Sequence, residues 1–195
     1  MLQHRGSSRT PVKSKLPTTH IADGHNQVWS WDITYLNTYT RGMYYKLYMI
    51  MDIFSRKIVG WEVWRDELGE LASELVERAV LAEKIKGKPL VLHSDNGAPM
   101  KSYTLKSKLE MLGVMSSYSR PRVSNDNPYS EALFKTCKYR PSYPQDGFKG
   151  IEEARVWVDI FVNWYNNEHY HSGLNFVTPA SRHNSKSEEI MERRN

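Results

Sequence analysis

Val28-Trp29-Ser30-Trp31-Asp32-Ile33-Thr34-Tyr35-Leu36 reads as a β-strand that carries one acid among bulky aromatic and branched side chains. A carboxylate in such a setting is costly to bury charged unless something positive meets it. Downstream, Met43–Ile53 is a second strand dense in Tyr, Met and Ile, and Lys57–Trp64 is a third. The short connections Asn37-Thr38-Tyr39-Thr40-Arg41-Gly42 and Ser55-Arg56 make these three an antiparallel meander. Leu68, Leu71, Leu75, Val76, Ala79 and Ala82 then recur at helical steps, and the helix is expected to stop at Gly87 with Pro89 beyond. Leu90–His93 is a short apolar strand that delivers Asp95 into an Asn96-Gly97 turn. A helix over Ser102–Leu112 stops at Gly113, and a strand follows at Val114–Tyr118.

After the loop Ser119–Asp126, Asn127 has the look of an N-cap with Pro128 at the first helical position. Glu131 falls in the first turn and shares a face with Lys135 and Lys138, at i, i+4 and i+7. Gly147–Gly150 introduces a long helix buried through Ile151, Ala154, Trp157, Val158, Phe161 and Trp164. The division this implies is a flexible basic arm over residues 1–25, a core over 26–180, and a polar, frayed tail over 181–195.

With 195 residues, 39% of them apolar, the chain can bury one real core, and its six Trp and twelve Tyr supply much of the area. No run of eighteen apolar residues exists and the N-terminus lacks an apolar signal core, so neither a membrane span nor export is expected. A single cysteine, Cys137, excludes an internal disulfide and fits the cytoplasm. The net charge of +5 is concentrated: residues 101–143 hold eight basic side chains against three acidic ones. A polyanion accounts for that placement, and a basic solvated surface is the plain alternative.

Asp95 and Glu131 have thirty-five residues between them, and Asp32 lies upstream. Phosphodiester chemistry by two divalent ions needs carboxylates converging from separate elements, and hard ions such as Mg²⁺ need few protein ligands. Each acid also has an ordinary reading: strand-end amides for Asp32, a turn for Asp95, the helix dipole for Glu131. Asp52, in Met51-Asp52-Ile53-Phe54-Ser55-Arg56, is the rival acid and reads as a turn former or a partner of Arg56. His93 reads as strand packing, and His169 and His171 lack the further ligands a zinc site would need. In Ser119-Arg120-Pro121-Arg122-Val123-Ser124-Asn125-Asp126-Asn127, Arg120 and Arg122 are candidate phosphate contacts beside Glu131.

The contexts of Asp32, Asp95 and Glu131, with Lys138 following, resemble the catalytic core of retroviral-integrase-like (DDE) transposases. Within that group they resemble the second reading frame of the third family of bacterial insertion sequences. Asn163-Trp164-Tyr165-Asn166-Asn167-Glu168-His169-Tyr170-His171 and Thr178-Pro179-Ala180 resemble it too, so the likeness runs from about Asn26 to Ala180. The resemblance implies an α/β, ribonuclease-H-like fold: a five-stranded mixed sheet with helices on both faces. It implies strand cleavage and 3′-hydroxyl transfer at insertion-sequence ends, assisted by two Mg²⁺ or Mn²⁺ ions. Asp32 would bridge the ions, Asp95 would complete one site and Glu131 the other. Lys138, with Lys135, Arg120 and Arg122, would contact DNA. The implied partners are the element's terminal repeats, target DNA and further copies of the chain, with the protein close to the nucleoid. Such transposases carry a helix-turn-helix region before the core, and none is legible in residues 1–25. Recognition of the element ends is therefore expected from another polypeptide or from a region this chain lacks. A plain nuclease without strand transfer and a non-catalytic DNA-binding remnant are the alternatives.

Overall fold

The computed structural model describes residues 22–119 and 127–194. Three strands form the expected meander: β1 (Val28–Asn37), β2 (Tyr44–Asp52) and β3 (Ile58–Trp64). Helix α1 (Gly69–Ala82) leads to β4 (Leu90–Ser94), and α2 (Tyr103–Leu112) leads to β5 (Val114–Tyr118). Then come α3 (Pro128–Lys138), α4 (Ile151–Asn167) and two short helices, α5 (Pro179–His183) and α6 (Ser187–Glu192). The sheet order is β3-β2-β1-β4-β5. β1–β2 and β2–β3 pair antiparallel, whereas β1–β4 and β4–β5 pair parallel, so the sheet is mixed.

Side-chain alternation along the strands divides the core in two. On one face Trp29, Trp31, Tyr48 and Ile50 pack against Leu75, Val76 and Ala79 of α1 and Leu105 and Leu109 of α2. On the other, Leu36, Leu47, Met49 and Met51 meet Leu133 and Cys137 of α3 and Val158, Phe161 and Tyr165 of α4. Each such side chain contributes roughly 1.5–3 kcal/mol by leaving water. β2 is buried from Leu47 to Asp52 because both of its faces are covered.

Two close approaches fix how the layers meet. A Cβ on Gly69 would lie 2.0 Å from Oγ of Ser102, the residue whose side chain caps α2 by accepting from the Leu105 amide. Gly147, at φ +84°, brings the α3–α4 connection against the backbone of Thr38, where the amide of Phe148 donates to the Asn37 carbonyl.

Three local expectations are revised. α1 ends at Ala82 rather than at Gly87. Lys84 takes the left-handed conformation (φ +55°), and the amides of Ile85 and Lys84 close onto the carbonyls of Val80 and Leu81. That is a Schellman ending, with lysine in the position glycine usually fills. Asn127 stands at the start of α3, but its side chain makes no cap hydrogen bond. The stretch beyond Ala180 carries helical turns instead of fraying, and His183 is buried there.

His183 belongs to a buried polar tie at the N-terminal end of β1. Its Nδ1 lies 2.9 Å from Ser55 Oγ and its Nε2 2.8 Å from Glu83 Oε2. Glu83 also receives Lys57 Nζ at 2.7 Å and Asn26 Nδ2 at 3.2 Å. These are the residue types of a hydrolytic triad, yet Ser55 is fully buried and donates to Asp52, so the cluster is structural. Asp52 accepts further from the amides of Asn26 and Ser55, which makes it a turn acid. Arg56 does not pair with its carboxylate and stacks instead on Tyr129 of α3, 3.9 Å from the ring centre.

Candidate active site

The parallel register between β1 and β4 aligns Val28, Trp29 and Ser30 with Val91, Leu92 and His93. Asp95 follows directly on the end of β4, two residues past His93 as Asp32 is two past Ser30, and its negative charge acts on Asp32. Helix α3 brings the third acid. Ser30, two residues before Asp32 and on the same face of the strand, hydrogen-bonds through Oγ with Asn127 Oδ1 and, at 2.9 Å, with Ser130 Oγ. Asn127 Nδ2 donates to the Trp31 carbonyl at 3.4 Å. Asn127 and Ser130 are buried, so this polar contact seats the first turn of α3 on the middle of β1, next to Asp32.

The charges register the convergence. The Asp32 carboxyl is pushed up to about 7, first by burial, against a lowering by the Ile33 amide, then by the negative charges of Asp95, Glu131 and Glu67. One Asp32 oxygen accepts the Ile33 amide at 2.8 Å, and Asp95 Oδ1 accepts the Gly97 amide at 2.8 Å. Asp95 is thus also the turn former its Asp-Asn-Gly context suggests, with Asn96 Nδ2 donating to the Ser119 carbonyl at 2.6 Å. Glu131 is exposed. Among the described residues no Lys or Arg forms an ion pair with Asp32, Asp95 or Glu131.

No three His, Cys, Asp or Glu side chains among the described residues already group tightly enough to hold one metal ion. The donor set is nonetheless all carboxylate, on three separate elements, with half-buried Asp32 disfavoured as an anion first by burial and then by its neighbours' charge. That chemistry suits hard divalent cations shared between pairs of acids rather than one ion held by three.

Lys135 is exposed, and Lys138 is half-buried, its ammonium pushed down by that burial. Both lie on the Glu131 side of α3. Arg120 and Arg122 fall outside the described residues. His93 is buried in β4 with its Nδ1 3.1 Å from Ser117 Oγ, as packing requires. His169 stacks on Trp164 and Tyr165. Sequence reasoning passed over Ser30 and Glu67. Period two from Asp32 marks Ser30 as a neighbour on the same face, but its partners are 97 and 100 residues away. Glu67 is exposed and holds the Tyr35 hydroxyl at 2.9 Å, and nothing local connects it to Asp32.

The chain matches a family described as the integrase core domain over residues 22–124, and a second family of that description over 112–179. It is 33% identical over 162 residues to the transposase of insertion sequence IS904 from Lactococcus lactis, covering 81% of this chain and 61% of that protein. With the InsF transposase of IS3A from Escherichia coli it shares 27% identity over 184 residues, covering 94% of this chain and 62% of the relative. It thus spans about three-fifths of these relatives' length. Among solved structures, the magnesium complex of the HTLV-2 integrase catalytic core domain superposes with a TM-score of 0.56 at 19% identity, over 85% of this chain and 99% of that one. A chain of the simian T-cell lymphotropic virus intasome in complex with PP2A regulatory subunit B56 gamma gives a TM-score of 0.63 at 19% identity, over 87% of this chain and 59% of that one. At such identities these structures speak to the fold alone, which is the ribonuclease-H-like integrase core. A central β1 carrying Asp32, the family match and the transposase relatives lead to one conclusion: this chain belongs to the integrase core domain family of insertion-sequence transposases.

Proposed function

We propose that this core cleaves a DNA strand at an insertion-sequence end and joins the freed 3′-hydroxyl to a second phosphodiester. The observation that supports this most is the gathering of Asp32, Asp95 and Glu131 without a described cation to pair them. Asp32, Asp95 and Glu131 would hold two Mg²⁺ or Mn²⁺ ions, with Asp32 shared. When bound, such ions activate the attacking oxygen and stabilise the leaving one. The protein's part is placement. The Ile33 amide fixes one oxygen of Asp32, the Gly97 amide fixes one of Asp95, and Ser30 seats the helix that carries Glu131. Lys135 and Lys138, on the same helix, would hold the phosphates of the strand being cut.

Double-stranded DNA, both element end and target, is the substrate under this reading. The two ends of one element call for at least two copies of the chain. End recognition and the whole transposition cycle would draw on more than this core.

The test is metal-dependent cleavage and joining on oligonucleotides bearing the element's ends, comparing the wild type with Glu131→Gln. Mg²⁺- or Mn²⁺-dependent products from the wild type are expected, with at least a 100-fold loss in the variant and DNA binding retained. Cleavage without any joined product would favour the plain nuclease. DNA binding without cleavage, in either ion and by either protein, would leave only a binding function.

A further inference from the structure

We infer that a pocket between the C-terminal end of α3 and the C-terminal half of α4 binds a phosphodiester of the DNA backbone, with the Arg140 guanidinium as its anion-holding group. The inference rests on the DNA-processing reading above and assigns that substrate a second foothold, apart from the acids and from Lys135 and Lys138.

The pocket, about 450 Å³, is lined by Thr136, Tyr139, Arg140, Pro141, Ser142 and Trp164. Arg140 sits over the Trp164 ring, its guanidinium carbon 3.8 Å from the ring centre. A guanidinium has five N–H donors. Here only Nε–H has an acceptor among the described residues, Ser142 Oγ at 3.1 Å. Nη1 is buried with no hydrogen-bond partner, the only such side-chain atom among the described residues. No described carboxylate lies within ion-pair distance of Arg140.

An arginine kept for stability alone pairs with an acid or spends its donors on carbonyls, because an unpaired half-buried cation is costly. Stacking on the indole recovers part of that cost and holds the fork in one orientation. What remains is a pre-oriented cation with spare donors, and phosphate oxygens match that fork geometry. His169 is in contact with Trp164, and burial and the Arg140 charge hold it below the ordinary His value. Tyr139, 82% exposed, stands at the rim with a hydroxyl to offer.

Position links the pocket to the chemistry. At about 1.5 Å of rise per residue, the seven residues from Glu131 to Lys138 span about 10 Å, and Arg140 lies two residues beyond the end of α3. Lys135 and Lys138 lie on the Glu131 face of α3, and Arg140, just past the helix end, adds a cation on the side turned to Trp164 of α4. Arg140 would hold a phosphate beyond the one being cut.

The test is duplex binding by the wild type, Arg140→Gln and Arg140→Lys between 50 and 200 mM salt, on duplexes with and without the element end. Arg140→Gln is expected to bind both duplexes about 10-fold more weakly at 100 mM, with a log–log salt slope shallower by about 0.9. Arg140→Lys should keep the slope and lose part of the affinity, since an ammonium keeps the charge but lacks the planar fork of donors. A folded Arg140→Gln with wild-type affinity and slope overturns the pocket assignment and leaves the transposase reading standing. A wild type that binds neither duplex overturns both. If Arg140→Gln does not fold, single neutral methylphosphonates are scanned along the duplex using the Lys135→Gln/Lys138→Gln double variant. One position away from the cut phosphate should still weaken binding, and a flat profile there overturns the assignment.

Discussion

Asp32 is disfavoured where it stands: burial and the charges of Asp95 and Glu131 raise its carboxyl to about 7. Removing that charge should help the empty fold and harm the chemistry. Asp32→Asn is expected to raise the melting temperature of the metal-free protein by a few degrees, on the order of 1 kcal/mol, while abolishing cleavage. Calorimetry with and without chelator, beside a cleavage assay, reads both. Ser30 makes the complementary prediction. Ser30→Ala leaves Asn127 and Ser130 short of a buried partner, so the α3 seat loosens by about 1–3 kcal/mol. Cleavage should fall roughly 10-fold with DNA affinity unchanged, because a small misplacement of Glu131 harms reaction more than binding. Equal losses in both would refute the positioning role. At this scale the sequence is generous about acids and silent about their supports. Asp32 and Glu131 stand out from their own neighbours, whereas Ser30 matters through residues nearly a hundred positions away.

The elements were legible wherever alternation or helical spacing had room to speak. The expected strands Val28–Leu36, Met43–Ile53 and Lys57–Trp64 lie within a residue or so of those found. The end of α1 was misplaced by a strong Gly87-Pro89 signal, because the earlier stop depends on Lys84 accepting a left-handed backbone. Contacts made across the fold, by Glu83 with Lys57 and His183, hold that corner. The same corner gives the pH prediction. Burial alone would lower the His183 value, but hydrogen bonding to Asp52, through Ser55, and to Glu83 raises it above 6.5. Folded protein therefore favours the imidazolium, and this stabilisation is complete below pH 6.5 and lost as pH rises through the higher folded value. Burial would raise Glu83, yet His183, Lys57 and Asn26 hold it down to about 2, so its contribution is complete above 4.5 and lost as pH falls toward 2. The cluster stabilises most between those limits. Denaturant titrations from pH 5 to 8 should show wild-type stability declining on the alkaline side, and His183→Gln should lose that slope. Between α1 and α2, Gly69→Ala forces a methyl onto Ser102 and should cost about 1–3 kcal/mol in thermal unfolding. Part of that cost should return in Gly69→Ala/Ser102→Gly.

Across the molecule, the central strand joins two cores of different purpose. The face covered by α1 and α2 is apolar from end to end, whereas the face under α3 mixes core packing with Ser30 and Asp32. The outer edge is closed by side-chain chemistry: Asn166 of α4 accepts from the Ile58 amide at 2.9 Å and donates to its carbonyl at 3.0 Å, standing in for another strand at the start of β3. Among the described residues no helix is long and apolar enough to cross a membrane. The tie that joins Asn26, Asp52, Glu83 and His183 also works as a clasp across the fold. Asn26 precedes β1 and His183 closes α5, so two parts of the chain far apart in sequence meet at one corner, with the rings of His25 and His183 5.0 Å apart. Asp32 lies six residues up the central strand, about 20 Å away at some 3.3 Å per residue. A clasp between residues a hundred or more positions apart thus stands well away from Asp32, so a change that loosens it is felt in stability before it is felt at that carboxyl.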